Sequence, residues 1–289
     1  MEFFGANDDK TEASPFRDAR AVETWDTWFR WRDAGRLRDL TIEDTWERVA
    51  SALAAHAARP PHYKHSLVEA LAHWQLLLDE RLLMHAGTAV ERRSGGLHAA
   101  LNAASFVLAG TTGHAHFDHA HFEVVAALAV QALDDAADLA AHAPGPARCT
   151  RVGIIGLGDA LALLGIEYDS DAGRSQAADI AKALAQGSLA GSITLARERG
   201  AHARCGKAWH AQARQRGYRP DLVEAADTHG LRQGLHTAIT SQPRLALFAN
   251  AASDALDPAL AANTEEESDA SDKTIPLSSH RSAPVGVAA

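Results

Sequence analysis

The densest chemistry in the chain lies at Thr112-Gly-His-Ala-His-Phe-Asp-His-Ala-His121, which places four imidazoles and a carboxylate within ten residues. His114, His116, Asp118 and His119 offer imidazole nitrogen and carboxylate oxygen, a ligand set suited to zinc and able, around one ion, to activate water for hydrolysis. Two thiols occur, Cys149 and Cys205, and they form a redox pair only if the fold brings them together. Gly153, Gly156 and Gly158 follow a hydrophobic run, but their G-x-x-G-x-G spacing departs from the dinucleotide fingerprint, and no acidic residue closes a second strand. They read as glycines for tight helix packing.

These groups must be positioned by helices. Trp25, Trp28 and Phe29 recur at helical spacing, and Thr41-Ile-Glu-Asp44 reads as a capping box opening a helix with Ile42, Trp46, Val49 and Leu53 on one face. Pro60-Pro61 is expected to end that helix, and a third helix is expected over Ser66 to Leu78. Leu101 to Leu108 fits a strand or a helix end, too short for periodicity to decide. From Glu123 to Ala141 the apolar residues keep helical phase, with Asp134, Asp135 and Asp138 elsewhere on the wheel. Pro144-Gly-Pro146 breaks that helix, and another is expected near Asp159 to Leu164. Asp169 or Ser170 then caps a long helix striped with Ala177, Ile180, Ala181, Leu184, Ser188, Gly191 and Leu195, stopped by Gly200. The aromatic set Trp25, Trp28, Phe29, Trp31 and Trp46 reads as core.

With 289 residues, 46% of them hydrophobic, the chain is long enough for a sizeable core. A net charge of -9, a pI near 5.9 and the absence of any run of four Lys or Arg argue against nucleic acid as a partner. Apolar stretches are interrupted before the roughly 18 residues that a membrane span needs, and the first residues lack a signal-peptide pattern. A cytoplasmic protein is expected, with two cysteines fitting a reducing compartment.

The segment Arg151 to Ser170, RVGIIGLGDALALLGIEYDS, resembles the late catalytic-domain segment of ribonucleotide reductase large subunits. Thr45-Trp-Glu-Arg-Val-Ala50 resembles the Thr-Trp-x-x-x-Val-Ala helix of the cobalamin-dependent, class II-like members, and Arg81-Leu-Leu with Ala86-Gly-Thr88 resembles their step into an Ala-Gly-Thr turn. Ser105-Phe-Val-Leu108 falls where the family has Cys-Phe-Val. Ala129 to Leu139 is similar to a helix with a Leu-Asp-Asp or Leu-Asp-Asn step, and Arg232 to Pro258 follows the family's Arg-Asn through Pro-Thr-Gly-Thr to its Glu-Pro pair.

The resemblance implies a radical chemistry that needs a thiyl cysteine, an Asn and a Glu, and usually a cysteine pair. Ser105 stands at the first redox cysteine, and the stretch between Val107 and Val130 is too short for the Asn-x-Cys-x-Glu region. The turn matched to the family's phosphate-binding Pro-Thr-Gly-Thr is Ser241-Gln-Pro-Arg244, which leaves Ser241 and Arg244 as the candidate phosphate ligands. A second resemblance is local: His114-x-His116-x-Asp118-His119 has the spacing of the HxHxDH motif of metallo-β-lactamase-like hydrolases, without that fold's strands or further ligand motifs.

The expected fold is mainly α, a helical domain derived from a reductase-like α/β barrel with few residual strands. Residues 1–20 are expected to be flexible, 21–110 an N-terminal helical region, 111–260 a reductase-like C-terminal helical region, and 261–289 a disordered tail. The expected function is a non-catalytic scaffold, a pseudoenzyme linked to deoxyribonucleotide synthesis, partnered by a second copy or a reductase subunit. The alternatives are one component of a split, adenosylcobalamin-dependent reductase, and a metal-binding hydrolase with zinc at the histidine cluster.

Overall fold

A computed structural model of the protein describes residues 14–55, 57, 60–89, 96–110, 113–139, 150–202, 205–233 and 237–259. Cys149, the Pro144–Pro146 break and the 261–289 tail lie outside the described residues. Of the stretch 1–20, residues 14–20 are described. Phe16 packs at 5.9 Å from Trp25 and 5.7 Å from Trp74, and Pro15 O accepts the indole N–H of Trp74 at 3.2 Å.

Asp18 caps the first helix, α1 (Ala19–Thr24), which runs into a single π-helical turn, Trp25–Phe29. A short hairpin, β1 (Arg32–Asp33) with β2 (Arg36–Leu37), leads to α2 (Ile42–Ala54). The Thr41 capping box is formed: Asp44 Oδ2 accepts the Thr41 N–H at 2.9 Å, and Thr41 Oγ1 accepts from Asp44 N. Ile42, Trp46, Val49 and Leu53 are all buried, as their spacing requires.

Pro60-Pro61 opens α3 (Pro60–Ala72) and does not close α2, which ends at Ala54. Proline lacks only a donor that the first turn leaves unused, and its fixed φ suits that turn. The third helix therefore starts earlier than Ser66, and it also ends earlier than Leu78. Trp74 turns the chain at φ 56°, and Leu76–Leu78 forms strand β3. A run of three buried leucines suits a strand enclosed on both faces as well as it suits a helix, so the tertiary setting decides.

Next come α4 (Glu80–His85), β4 (Leu97–Asn102), a 3-10 turn (Ala103–Phe106), β5 (Val107–Leu108) and β6 (His116–Phe117). The 101–108 stretch is thus strand, turn and strand in succession. Helix α5 (His119–Leu139) starts before Glu123, because the Asp118 carboxylate accepts the His121 N–H at 2.9 Å and caps it. It crosses the sheet to β7 (Thr150–Ile155), and α6 (Leu157–Leu163) and α7 (Asp171–Arg199) follow. Ser170 caps α7 and Gly200 ends it, as expected. The chain closes with α8 (Lys207–Gln215), α9 (Pro220–His229) and α10 (Pro243–Phe248).

The largest sheet among the described residues has the order β3-β4-β7, with β3–β4 antiparallel and β4–β7 parallel from Leu97↔Thr150 to Asn102↔Ile155. Three strands do not close a barrel, and the architecture is mainly α. Helix α5 covers the sheet and α7 covers α5. A Cβ at Gly187 would lie 2.4 Å from Glu123 O, so this crossing depends on a missing side chain. Ala181 in the expected stripe is exposed, while Ile180, Leu184, Ser188, Gly191 and Leu195 are buried. The far half of α7 carries α8 and α9 through a smaller cluster of Leu189, Ile193, Leu222, Ala226 and Leu231. No helix of the described residues is long and apolar enough to cross a membrane.

Two motif segments meet at a buried ion pair. Arg48 of α2 holds Asp39 at 2.7 Å with 7% and 3% of the two side chains exposed, and also donates to Leu83 O at 3.1 Å and to Ala86 O. Asp39 accepts the Thr45 hydroxyl at 2.7 Å, which in turn accepts the Trp25 indole at 3.0 Å. Asp39→Ala strands a guanidinium in the core, and a loss of about 3–5 kcal/mol is expected in urea unfolding. A loss below about 1 kcal/mol contradicts this role.

Asp79 ties α4 to the sheet: it caps α4 and meets Arg81 at 2.8 Å and His98 of β4 at 3.2 Å. Burial pushes its carboxyl up, but the hydrogen bonds from Arg81, with the charges of Arg81 and His98, outweigh this and hold it below its ordinary 3.8. A carboxyl depressed by folding adds stability above its unfolded value and loses it as pH falls through the folded value. The wild type should therefore lose more stability than Asp79→Asn on acidification below about pH 4, read by urea midpoints across pH. Parallel curves for the two proteins rule the effect out.

Candidate functional site

The signature segment acts as a clamp on the chain that follows α10. At the end of β7, Gly156 takes φ +70°, and its N–H donates to Ser253 O at 2.7 Å. Gly158 lies against residues 257–259, where a Cβ would fall 2.3 Å from Ala259 N and 2.5 Å from Asp257 O. The Asp159 carboxylate accepts the Ser253 N–H at 2.6 Å, and the Tyr168 hydroxyl donates to Leu256 O. The glycines thus serve close packing, chiefly of backbone against backbone.

Ser105 sits in the 3-10 turn after β4 and donates its hydroxyl to Trp74 O at 3.0 Å. It acts there as a packing hydrogen bond. In the turn matched to the phosphate loop, Ser241 Oγ donates to Asp254 Oδ2 and Gln242 N donates to Asp254 Oδ1 at 2.7 Å. An internal carboxylate therefore takes donors that a phosphate would need, and adds negative charge beside them. Pro243 supplies no N–H. Arg244 pairs with Glu80 and lies 4.0 Å over the Trp28 ring, so both its charge and its face are engaged. That contact also accounts for Trp28, which is 48% exposed while Trp25, Phe29 and Trp46 are buried in the core.

The histidines are spread from just before β6 to the start of α5. His114 and His116 are exposed, His119 Nδ1 meets Phe117 O at 3.1 Å, and Asp118 caps α5. His121 Nε2 meets Gln75 Oε1 at 3.1 Å, with its ring 5.6 Å from Phe106. Among the described residues no group of three or more His, Cys, Asp or Glu is placed to hold a metal ion, so the expected zinc ligands are not gathered into a site. The turn packs around Phe106, Phe117 and Phe122. Cys205 lies against Ala226 O at 3.6 Å, and burial, with the Asp227 charge, pushes its thiol above the ordinary value, away from thiolate reactivity.

One constellation escaped the helical wheel. Asp134 and Asp135 fall outside the apolar stripe of α5, yet both are buried beneath α7 and the 231–233 segment. Arg232 Nε meets Asp134 at 3.1 Å, Arg199 Nη1 meets Asp134 at 3.0 Å and Asp135 at 2.5 Å, and Gln233 Nε2 donates to Asp134 at 3.2 Å. Arg232 also donates to the last carbonyls of α7, Arg199 O at 3.0 Å and Gly200 O at 3.1 Å. Burial raises the Asp135 carboxyl although Arg199 pulls it down. The signal available in sequence was the Leu-Asp-Asp step and Arg232, two motif fragments nearly a hundred residues apart.

Comparison with known proteins yields one family. The model of the family described as ribonucleotide reductase, barrel domain, matches residues 96–276, a span that includes β4, the 3-10 turn, α5, the signature segment and the Ser241–Arg244 turn. No curated protein matches the chain. With more than half of its length matched, the chain belongs to the ribonucleotide reductase barrel-domain family.

Proposed function

We propose that the chain is a non-catalytic, reductase-derived scaffold that binds a partner, either a second copy or a reductase subunit, in the setting of deoxyribonucleotide synthesis. The observation that carries the reading is the occupation of the phosphate-type turn from within. Asp254 takes the Ser241 hydroxyl and the Gln242 N–H, and Glu80 with Trp28 takes Arg244. Binding a diphosphate there requires breaking these contacts and seating it beside a carboxylate, which disfavours substrate before any chemistry begins.

Two further features support it. Position 105 carries a hydroxyl that packs against Trp74 O and has no two-electron redox chemistry. Adenosylcobalamin, implied by the class II-like resemblance, works in that family with a protein thiol. The described thiol, Cys205, is instead part of the packing between α9 and the segment before α8. The described residues do not fit that chemistry.

The test is a ribonucleotide reduction assay with adenosylcobalamin, run on the chain alone and mixed with candidate reductase subunits, beside light scattering of both samples. No deoxynucleotide is expected from the chain alone. A mass above 30.7 kDa, or a stable complex with a reductase subunit, is expected in scattering. Turnover by the isolated chain sinks the non-catalytic reading, turnover only in the mixture favours a split reductase, and a monomer that captures no reductase subunit sinks the scaffold.

A further inference from the structure

Strands β4 and β7 run parallel and end side by side, at Asn102 and Ile155. Ligands of open parallel sheets gather beyond such carboxyl ends. Buried oxygens without partners lie at and near that place. Asn102, Ser253 and Gln242 are 6%, 4% and 6% exposed, and Asn102 Oδ1, Ser253 Oγ and Gln242 Oε1 are each buried without a hydrogen-bond partner.

The three residues are linked through a short series of contacts. Asn102 Oδ1 packs onto Gly156, where a Cβ would lie 2.2 Å away, so only a glycine admits the amide there. Gly156 N binds Ser253 O at 2.7 Å, and Asp159 binds Ser253 N at 2.6 Å. Gln242 joins through Asp254, the neighbour of Ser253, whose Oδ1 accepts Gln242 N at 2.7 Å. Among the described residues Asp159 and Asp254 form no ion pair with a Lys, Arg or His, and their hydrogen bonds come from Ser253 N, Ser241 Oγ and Gln242 N.

We infer that Asn102, Ser253, Gln242 and Asp159, with Asp254 beside them, form a site for a hard divalent cation, calcium or magnesium. Three orphaned neutral oxygens and two carboxylates without a cationic partner are a surplus of acceptors, and a single cation satisfies acceptors and charge together. The donors are all oxygen, which suits these ions and not zinc. Calcium takes several such ligands directly, and magnesium keeps part of its water. The site uses none of the histidines and does not depend on the scaffold reading.

The experiment is calorimetric titration of the chelator-treated full chain with calcium chloride and, separately, magnesium chloride, with thermal melts alongside. One ion per chain and a saturable rise in Tm are expected, and the ion giving both identifies the natural occupant. Asn102→Ala and Ser253→Ala should each weaken binding about tenfold or more, with Glu43→Ala, an exposed acid on α2, as the unchanged control. The Ser253 hydroxyl makes no hydrogen bond of its own, so Ser253→Ala keeps the fold and decides the matter if Asn102→Ala does not. No binding of either ion, or binding that Ser253→Ala leaves unchanged, overturns the site.

Discussion

The close approach of backbone to backbone at Gly156 and Gly158 is the constraint on which the rest of the described structure depends. A side chain at Gly158 would enter the 257–259 backbone, and one at Gly156 would collide with Asn102. With both positions bare, β7 can pass straight into α6 while 253–259 lies across their junction, fixed by Gly156 N, Asp159 and the Tyr168 hydroxyl. That fixed strap in turn places Asp254 against the Ser241–Gln242 turn and sets α10 beside the N-terminal aromatic cluster, where Phe248 lies 4.9 Å from Phe29 and 5.1 Å from Trp74.

The polar residues of the family motifs answer one another within the fold. Arg48 of one motif closes on Asp39 and reaches Ala86 O of another, and Arg232 of a third closes on Asp134 of a fourth. Arg244 closes on Glu80. Each arginine finds its carboxylate inside the chain, so these charges hold segments distant in sequence together. A cation buried with such a partner is costly to separate and a poor recruit for an outside anion. The same residues that signal descent thereby work as fasteners, which is why a family signature can persist beside a turn whose donors are held by the chain's own carboxylate.

Local chemistry made much of the fold legible in advance. The Thr41 capping box, the buried face of α2, the Ser170 cap and the Gly200 stop depend on groups within a few residues of one another, where sequence spacing is spatial spacing. The leucines at 76–78 and the proline pair at 60–61 read wrongly because both patterns serve two structures, and neighbours outside the segment choose between them. The histidine run shows the opposite failure. Its spacing suits a metal, but convergence is a matter of backbone path, and a short strand followed by a helix start spreads those side chains apart. Ser241 and Arg244 stand in the turn that the resemblance matched to a phosphate loop, while their partners, Asp254 and Glu80, carried no mark in the sequence.

The sequence by itself determined descent, the mainly helical character and the absence of a cysteine at position 105, since these follow from residue identity, order and local periodicity. Tertiary structure alone decided which charges met, because Asp134 and Arg232 or Glu80 and Arg244 are separated by long stretches of chain. It also decided that three neutral oxygens at the ends of β4 and near α10 are buried without donors. The physical reason is the same in each case. Burial and pairing are properties of the whole packed chain, and a residue's type fixes what it needs without fixing which neighbour supplies it.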